Sequence, residues 1–173
     1  VQDFAPISLA ATTAFVLILH PAVPAKTVKE LIALARSRPG QLNHGSAGLA
    51  SPPHLSAELF KTMTGIKMVH VPYKSGTQGG TDAVSGRIQL MFNIMGSLQP
   101  FVGPGKLRVL AINNNKRYHR MPEIPTVGEV VPGYERAPSW TAYFGPANLP
   151  APILKRLYDE LNKAASSPDI VAK

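Results

Sequence analysis

Three short strand-like segments, at residues 42–44, 69–71 and 90–92, each run into a turn of small or hydrogen-bonding residues that opens a helical pattern. No other feature limits the fold so tightly. Strands alternating with helices of roughly ten residues build βαβ units, which means a parallel sheet joined by right-handed crossovers. Ligands of such sheets lie at the carboxyl ends of the strands. All three turns emerge on that edge, so one shared cleft is expected. The run Phe15–Leu19 reads as a further strand covered on both faces, and residues 107–112 as another.

The stretch LNHGSAGLASPPHLSAELF, residues 42–60, is the clearest of these units. A short strand gives way to the small residues Gly45, Ser46, Ala47, Gly48 and Ala50. Ser51 then stands as a hydroxyl N-cap before Pro52 at the first helical position, a strong helix start. Leu55, Leu59 and Met63 recur four residues apart as the apolar face, and Gly65 closes the helix. A strand, a small-residue turn and an uncovered helix N-terminus together form an anion receptor. Free N–H groups converge there, the helix dipole adds partial positive charge, and small side chains admit a ligand oxygen. A tight strand-to-helix turn without a ligand fits the same residues.

The rest of the chain follows the same alternation. Thr27 and Glu30 have capping-box spacing for a helix whose apolar face is Val28, Leu31, Ile32 and Ala35, stopped by Pro39-Gly40. A strand at 66–71 leads through Tyr73, Lys74, Ser75, Gly76 and Thr77 into a weak helix reaching Asp82 and Ser85, with Gly79 and Gly80 in its first turn. A strand at 88–92, a polar turn from Asn93 to Ser97 and a short helix at 98–102 come next. Beyond Asn113 lie a rigid link at 121–125, a second capping box at Thr126 and Glu129, a strand at 140–144 and a last amphipathic helix carrying Leu154, Leu157 and Leu161.

Composition narrows the function. The 173 residues suffice for one ordinary domain, or one domain and part of another. The net charge of +8 is spread without a run of like charges, and aromatic residues are only 7%, which argues against a nucleic-acid partner. A diffuse positive field favours a small anionic ligand. The chain has no cysteine, hence no thiolate chemistry or disulfide framework, and its longest apolar run is too short to span a membrane. An elbow nucleophile at Ser46 would need a glycine where His44 stands. Gly103-Pro104-Gly105-Lys106 lacks the hydroxyl residue of a phosphate loop, since Leu107 follows. The five histidines have no ligand spacing, so no metal site is expected; no cofactor is expected either. His44 and His54 flank the anion turn and either bond a ligand or serve the structure. Asp82 is a lone carboxylate with no partner for acid–base work. The pattern is that of a binder; the rival is a hydrolase using Ser46 or Ser51 with His54 or His44.

Several stretches taken in order resemble one family. They are PAKTVKELIALA from Pro24, PGQLNHGSAG from Pro39, HLSAELF from His54, HVPYK from His70, GKLR from Gly105, PEIPT from Pro122 and PGYE from Pro132. By these the chain is identified as a member of the Bug (TctC-like) family, the periplasmic solute-binding proteins of tripartite tricarboxylate transporters. The resemblance implies an α/β type II periplasmic-binding-protein fold whose two domains close on a small carboxylate by hinge motion. Membrane components of the transporter are the implied partners, and the periplasm the implied location. Residues 23–134 would be the second domain, a three-layer αβα parallel-sheet domain. Residues 1–22 would be a crossover strand and remnant of the first domain, and 135–173 a return segment with a C-terminal helix.

On this reading most of the first domain, and with it one cleft wall, is missing. Gly45, Ser46, Ala47, Gly48 and Ser51 would hold the carboxylate, with His54, Tyr73, Lys74, Asp82 and Asn93 as the adjoining wall. Ser75, and Gly79-Gly80 in place of the family's Pro-Ala pair, depart from the pattern at the second turn. With one wall absent, weak binding is expected. The strand Phe15–Leu19 and the helix at 154–161 would be left bare and prone to dimerise.

Overall fold

A computed structural model describes residues 3–136 and 139–171. In chain order the elements are β1 (Phe4–Thr12), β2 (Phe15–Leu19), α1 (Val28–Ser37), β3 (Asn43–Ser46), α2 (Pro52–Thr64), β4 (Val69–Pro72), α3 (Gly76–Val84), β5 (Leu90–Ile94), α4 (Met95–Val102), β6 (Arg108–Ile112), α5 (Val127–Val130), β7 (Trp140–Pro146), α6 (Ala151–Ala165) and α7 (Pro168–Val171). They form two compact units. The larger spans Ala14–Ala137; the smaller is built from the two ends of the chain.

The larger unit is a five-stranded sheet in the order β4-β3-β5-β2-β6. β3 runs parallel to β4 and β5, as the alternation of strands and helices requires. β2 runs antiparallel to both neighbours, β5 and β6, against the parallel sense of the βαβ units. A continuous apolar run buried on both faces has the same pattern in either direction, so periodicity carries no information about its sense. Nor is β2 a bare surface, because all five of its residues are buried.

Side chains alternating along the strands divide the core into two layers. Leu17, Leu19, Leu90 and Phe92 pack on one face with Val28, Leu31, Ala57, Phe60 and Tyr134. Val16, Ile18, Met91 and Ile112 pack on the other with Ala83, Met95 and Leu98. The result is helix, sheet, helix: α1, α2 and α5 on one side, α3 and α4 on the other.

α2 corrects a second expectation. Its buried face is Pro53, Ser56, Ala57, Phe60 and Thr64, while Leu55 and Met63 are exposed. Small residues let the helix lie close to the sheet around a single Phe60, which meets Phe92 edge-on at 5.8 Å between centroids. The two expected capping boxes differ in outcome. Thr27 Oγ1 accepts from Glu30 N, but the Glu30 carboxylate takes the amide of Lys26 rather than that of its cap. The Thr126–Glu129 box is complete in both directions.

In the smaller unit β1 pairs antiparallel with β7, with register shifts beside Pro6 and beyond Leu9. Pro6 lacks an N–H for the ladder and sits next to an irregularity of the kind that tolerates proline. Ser8 Oγ donates to Asn162 Oδ1 at 3.0 Å, tying β1 to α6. No residue of α6 is buried, although Ile153, Leu157 and Tyr158 lie on it. No helix among the described residues is long and apolar enough to cross a membrane.

Candidate functional site

The carboxyl ends of β3, β4, β5 and β6 share one sheet edge with the start of β2, and the N-termini of α2, α3 and α4 open on it. Sequence order alone puts the three turns there. What the structure adds is which donors in them are already engaged.

The turn from β3 to α2 is tied together by two hydroxyls. Ser46 is fully buried; its Oγ lies 2.7 Å from His70 Nε2 and 3.0 Å from the Gly48 carbonyl, and accepts from Gly48 N at 3.2 Å. One proton assignment satisfies all three contacts. If neutral His70 carries its proton on Nε2, Ser46 Oγ accepts from the ring and from Gly48 and donates to the carbonyl. The histidine beside Ser46 is thus His70, not the His44 or His54 singled out from the sequence.

Ser51 occupies the N-cap position of α2 but forms no side-chain cap; its Oγ donates to the Gly48 carbonyl at 2.7 Å. Gly48 accepts both hydroxyls with φ at +109°, a conformation open to glycine at little cost. Pro52 and Pro53 remove the first two helical N–H groups, so α2 offers less than the full set of free amides. Among hydrogen bonds between described residues, none uses the amides of Ala47, Leu49 or His54. The turn therefore holds spare donors, while its acceptor Gly48 is saturated.

Gly45 sits inside the ladder, opposite Val71 and Met91. A Cβ there would stand 2.4 Å from Ile88 Cδ1 and 3.3 Å from the Tyr73 ring, so this glycine makes room for the wall. Tyr73 donates its hydroxyl to Asp82 Oδ2 at 3.0 Å, and Asp82 Oδ1 receives Arg87 at 3.1 Å. Burial first, then the bond to Asp82, pushes the Tyr73 phenol up to about 12. Asn93 is buried, donates to the Gly76 carbonyl at 2.9 Å and accepts from Ile94 N at 2.8 Å, locking the entry of α3 to the end of β5. Ser75 caps α3 by accepting from Gln78 N. Lys74 is exposed and forms no ion pair with a described residue. Asp82 and Asn93 thus have partners within the chain, whereas the Lys74 ammonium has none among the described residues.

Behind the turn, on the α2 side, three imidazoles stack. His44 and His70 are cross-strand partners with centroids 4.9 Å apart, and His54 lies 4.2 Å from His70. His54 Nδ1 accepts from Ala50 N at 3.1 Å, holding Ala50 at φ +57°. His44 is fully buried and neither ring nitrogen has a hydrogen bond. Its Nε2 lies 3.6 Å from Glu58 Oε1, beyond hydrogen-bond reach. Burial above all, helped by His70 and Lys61 and opposed by Glu58, lowers its pKa to about 4, so that contact is no ion pair at neutral pH. Burial likewise lowers His70. No group of acids, histidines or cysteines among the described residues is arranged to hold a metal ion.

Two residues that sequence reasoning passed over lie on the same sheet edge and the same face. Asn113, at the end of β6, is fully buried; its Oδ1 accepts from the Tyr134 hydroxyl at 2.7 Å, while Nδ2 has no partner. The Arg136 guanidinium lies 4.1 Å from the ring centroid of Phe15, the first residue of β2, and Arg136 is only 8% exposed.

Comparison with known proteins accounts for the whole length. The profile of the TctC family, described as tripartite tricarboxylate transporter family receptor, matches residues 1–173. A Pseudomonas sp. protein encoded in the tcbD–tcbE intergenic region is 33% identical over 172 residues, covering 98% of this chain and 51% of that one. The structure of R. palustris Rpa4515 with adipate superposes with a TM-score of 0.90 at 34% identity, covering 98% of this chain and 56% of that one. A second structure, described as a periplasmic transporter, gives 0.90 at 33% identity and 99% and 57% coverage. The chain spans about half the length of the relatives it matches.

Proposed function

The chain belongs to the TctC (Bug) family of tripartite tricarboxylate transporter receptors, and from that membership we propose that it binds a small organic acid by a carboxylate at the β3–α2 turn. One observation carries the reading. Among the described residues the amides of Ala47, Leu49 and His54 are unengaged and the acceptor Gly48 is saturated, so the turn is built to receive lone pairs rather than to supply them. Gly48 and Ser51 shape the turn, Ser46 anchors it to His70, and Gly45 clears its wall. His54, Tyr73 and Lys74 form the adjoining side, with Asp82 and Asn93 fixing its geometry. Charge-assisted bonds to a carboxylate are worth roughly 1.5–3 kcal/mol each before desolvation is subtracted. That Rpa4515 was seen with adipate supports an organic acid as the ligand class. On this reading the receptor works in the periplasm and hands its ligand to the membrane components of a tripartite transporter.

Taken by itself, this 173-residue stretch, about half the length of the relatives it matches, leaves the bound acid hydrated and binds weakly, in the millimolar range or above. Amide NMR titration of the 173-residue chain with di- and tricarboxylates tests this. Shifts confined to the turn with millimolar dissociation constants support it. Micromolar affinity overturns the half-cleft picture, and no shift at tens of millimolar overturns carboxylate binding itself.

A second reading concerns assembly. In the smaller unit Phe4, Leu9, Trp140, Tyr143, Phe144, Ile153, Leu157 and Tyr158 are all exposed. Apolar side chains in that number favour self-association through this unit. Light scattering across a dilution series decides the matter, and a monomer at every concentration rejects it.

A further inference from the structure

Among the described residues, Arg136 is a cation without an anion. It is 8% exposed, its guanidinium faces the Phe15 ring at 4.1 Å, and it forms no ion pair or hydrogen bond with a described residue. Cation–π attraction to a phenyl ring compensates a desolvated charge only in part. Burying a charge without a counter-ion is among the costliest arrangements a fold can hold.

The acids of the larger unit do not supply one. Glu30 takes the Lys26 amide, Glu58 is taken by Lys61, Asp82 by Arg87 and Tyr73, Glu129 by Arg117, and Glu123 and neighbouring Glu135 are exposed. Desolvation pulls Arg136 below the usual guanidinium range, opposed by Tyr134. Beside it, the fully buried Asn113 keeps a second donor, Nδ2, without a partner, and the Asn113 amide is bonded to the Phe15 carbonyl at 2.7 Å. Among the described residues, neither Asn113 Nδ2 nor the Arg136 guanidinium on this patch of the sheet edge has an acceptor.

The position of Phe15 gives the patch its use. It opens β2 at the edge where β3 and β5 end, on the side of the sheet that carries α2. In the order β3-β5-β2 it lies two strands from the carboxylate turn, a lateral separation of about 10 Å at the usual strand spacing. We propose that Arg136 is a specificity-determining residue that binds the second carboxylate of a linear dicarboxylate whose first carboxylate occupies the β3–α2 turn. The assignment rests on the carboxylate-binding reading above and adds to it the ligand class. A monocarboxylate would leave Arg136 uncompensated, and a very short diacid would not reach it.

The test pairs adipate with hexanoate, equal in chain length and different in one charge, and adds malonate as a short diacid. Amide NMR titrations of the 173-residue chain at physiological salt give each dissociation constant, with Arg136→Met and Arg136→Lys as variants. In the unmodified chain adipate binds at least tenfold tighter than hexanoate, which is about 1.4 kcal/mol, and malonate shows no such advantage. Arg136→Met brings adipate to the hexanoate level and leaves hexanoate unchanged. That change alters the net charge of +8 by only one, so general attraction persists. Should Arg136→Met fail to fold by circular dichroism, Arg136→Lys carries the test, since a point charge replaces the bidentate fork and the adipate advantage falls at least threefold. An adipate advantage that survives either folded variant overturns the role of Arg136 while leaving carboxylate binding standing. If neither acid shifts the turn amides of the unmodified chain, the underlying reading fails and Arg136 with it.

Discussion

Acidification from pH 7 to pH 5 should strip about 2 kcal/mol from the larger unit through a single side chain, His44. Its imidazole is fully buried, has no hydrogen bond on either nitrogen, and is held near a pKa of about 4 mainly by burial. The unfolded chain returns it to the ordinary value of 6.5. The folded value is the lower one, so the stabilisation is present above pH 6.5 and is lost as the pH falls towards 4. At pH 5 the unfolded state has gained a proton that the folded state refuses. The 1.5 units between 6.5 and 5, at about 1.4 kcal/mol each, give the estimate of about 2 kcal/mol. His70 is shifted the same way and adds to the slope. Stopping at pH 5 keeps carboxylate titration small. Urea unfolding at pH 7, 6 and 5, followed through the amide resonances of β2 and β5, reports on the larger unit alone. His44→Met, of similar volume and without a titrating group, should lose most of the dependence. A flat wild-type profile, or a His44→Met slope as steep as the wild type, would refute the reasoning.

Three further outcomes follow from contacts in the turns. Ser46→Ala removes the oxygen that His70 and Gly48 share, leaving two donors unpaired at a buried site. Its cost should be about 1–3 kcal/mol by urea titration, and a neutral result would mean that water replaces the hydroxyl. Gly76→Ala sets helix propensity against space. Alanine would gain up to ~1 kcal/mol in a helix, but its Cβ would lie 2.6 and 2.8 Å from Oδ1 and Nδ2 of the buried Asn93. Because that amide is bonded at both ends, overpacking should win by about 1–3 kcal/mol, and a rise in melting temperature would contradict this. Tyr73→Phe deprives Asp82 Oδ2 of its donor and should cost about 1 kcal/mol; an unchanged unfolding midpoint would show that the bond is not formed in solution.

Much of this architecture is written locally. The caps at Thr27, Ser75 and Thr126, the stop at Gly65 and the helix entry at Pro52 follow from residue type within a few positions. The glycines at 79 and 80 weaken a helix on propensity grounds, yet both are buried against Tyr73, Met91 and Leu98, where a Cβ would be crowded. What stayed hidden depends on residues distant in the chain. The buried face of α2 is chosen by how closely Ser56 and Ala57 approach the sheet, and hydropathy ranks both below the exposed Leu55. The direction of β2 is invisible in an unbroken apolar run. The stacking of His44 on His70 exists only through the β3–β4 register. At the site, small residues announced the turn, but the engagement of Ser46, Ser51, Asp82 and Asn93 could not be read from spacing. Arg136 gave no local signal, since its environment is made by Phe15, over a hundred positions earlier in the sequence.

The placement of β2 has a consequence for biosynthesis. The apolar ribbon Phe15–Leu19 leaves the ribosome before its hydrogen-bonding partners, Leu90–Ile94 and Arg108–Ile112, which emerge only much later. Until then its five side chains have nowhere to hide, and a two-sided sticky segment of that kind is what holdase chaperones bind. The sheet zips from the middle outward only when β5 and β6 are released, so a pause in translation before residue 112 would strand the nascent chain at its most aggregation-prone length.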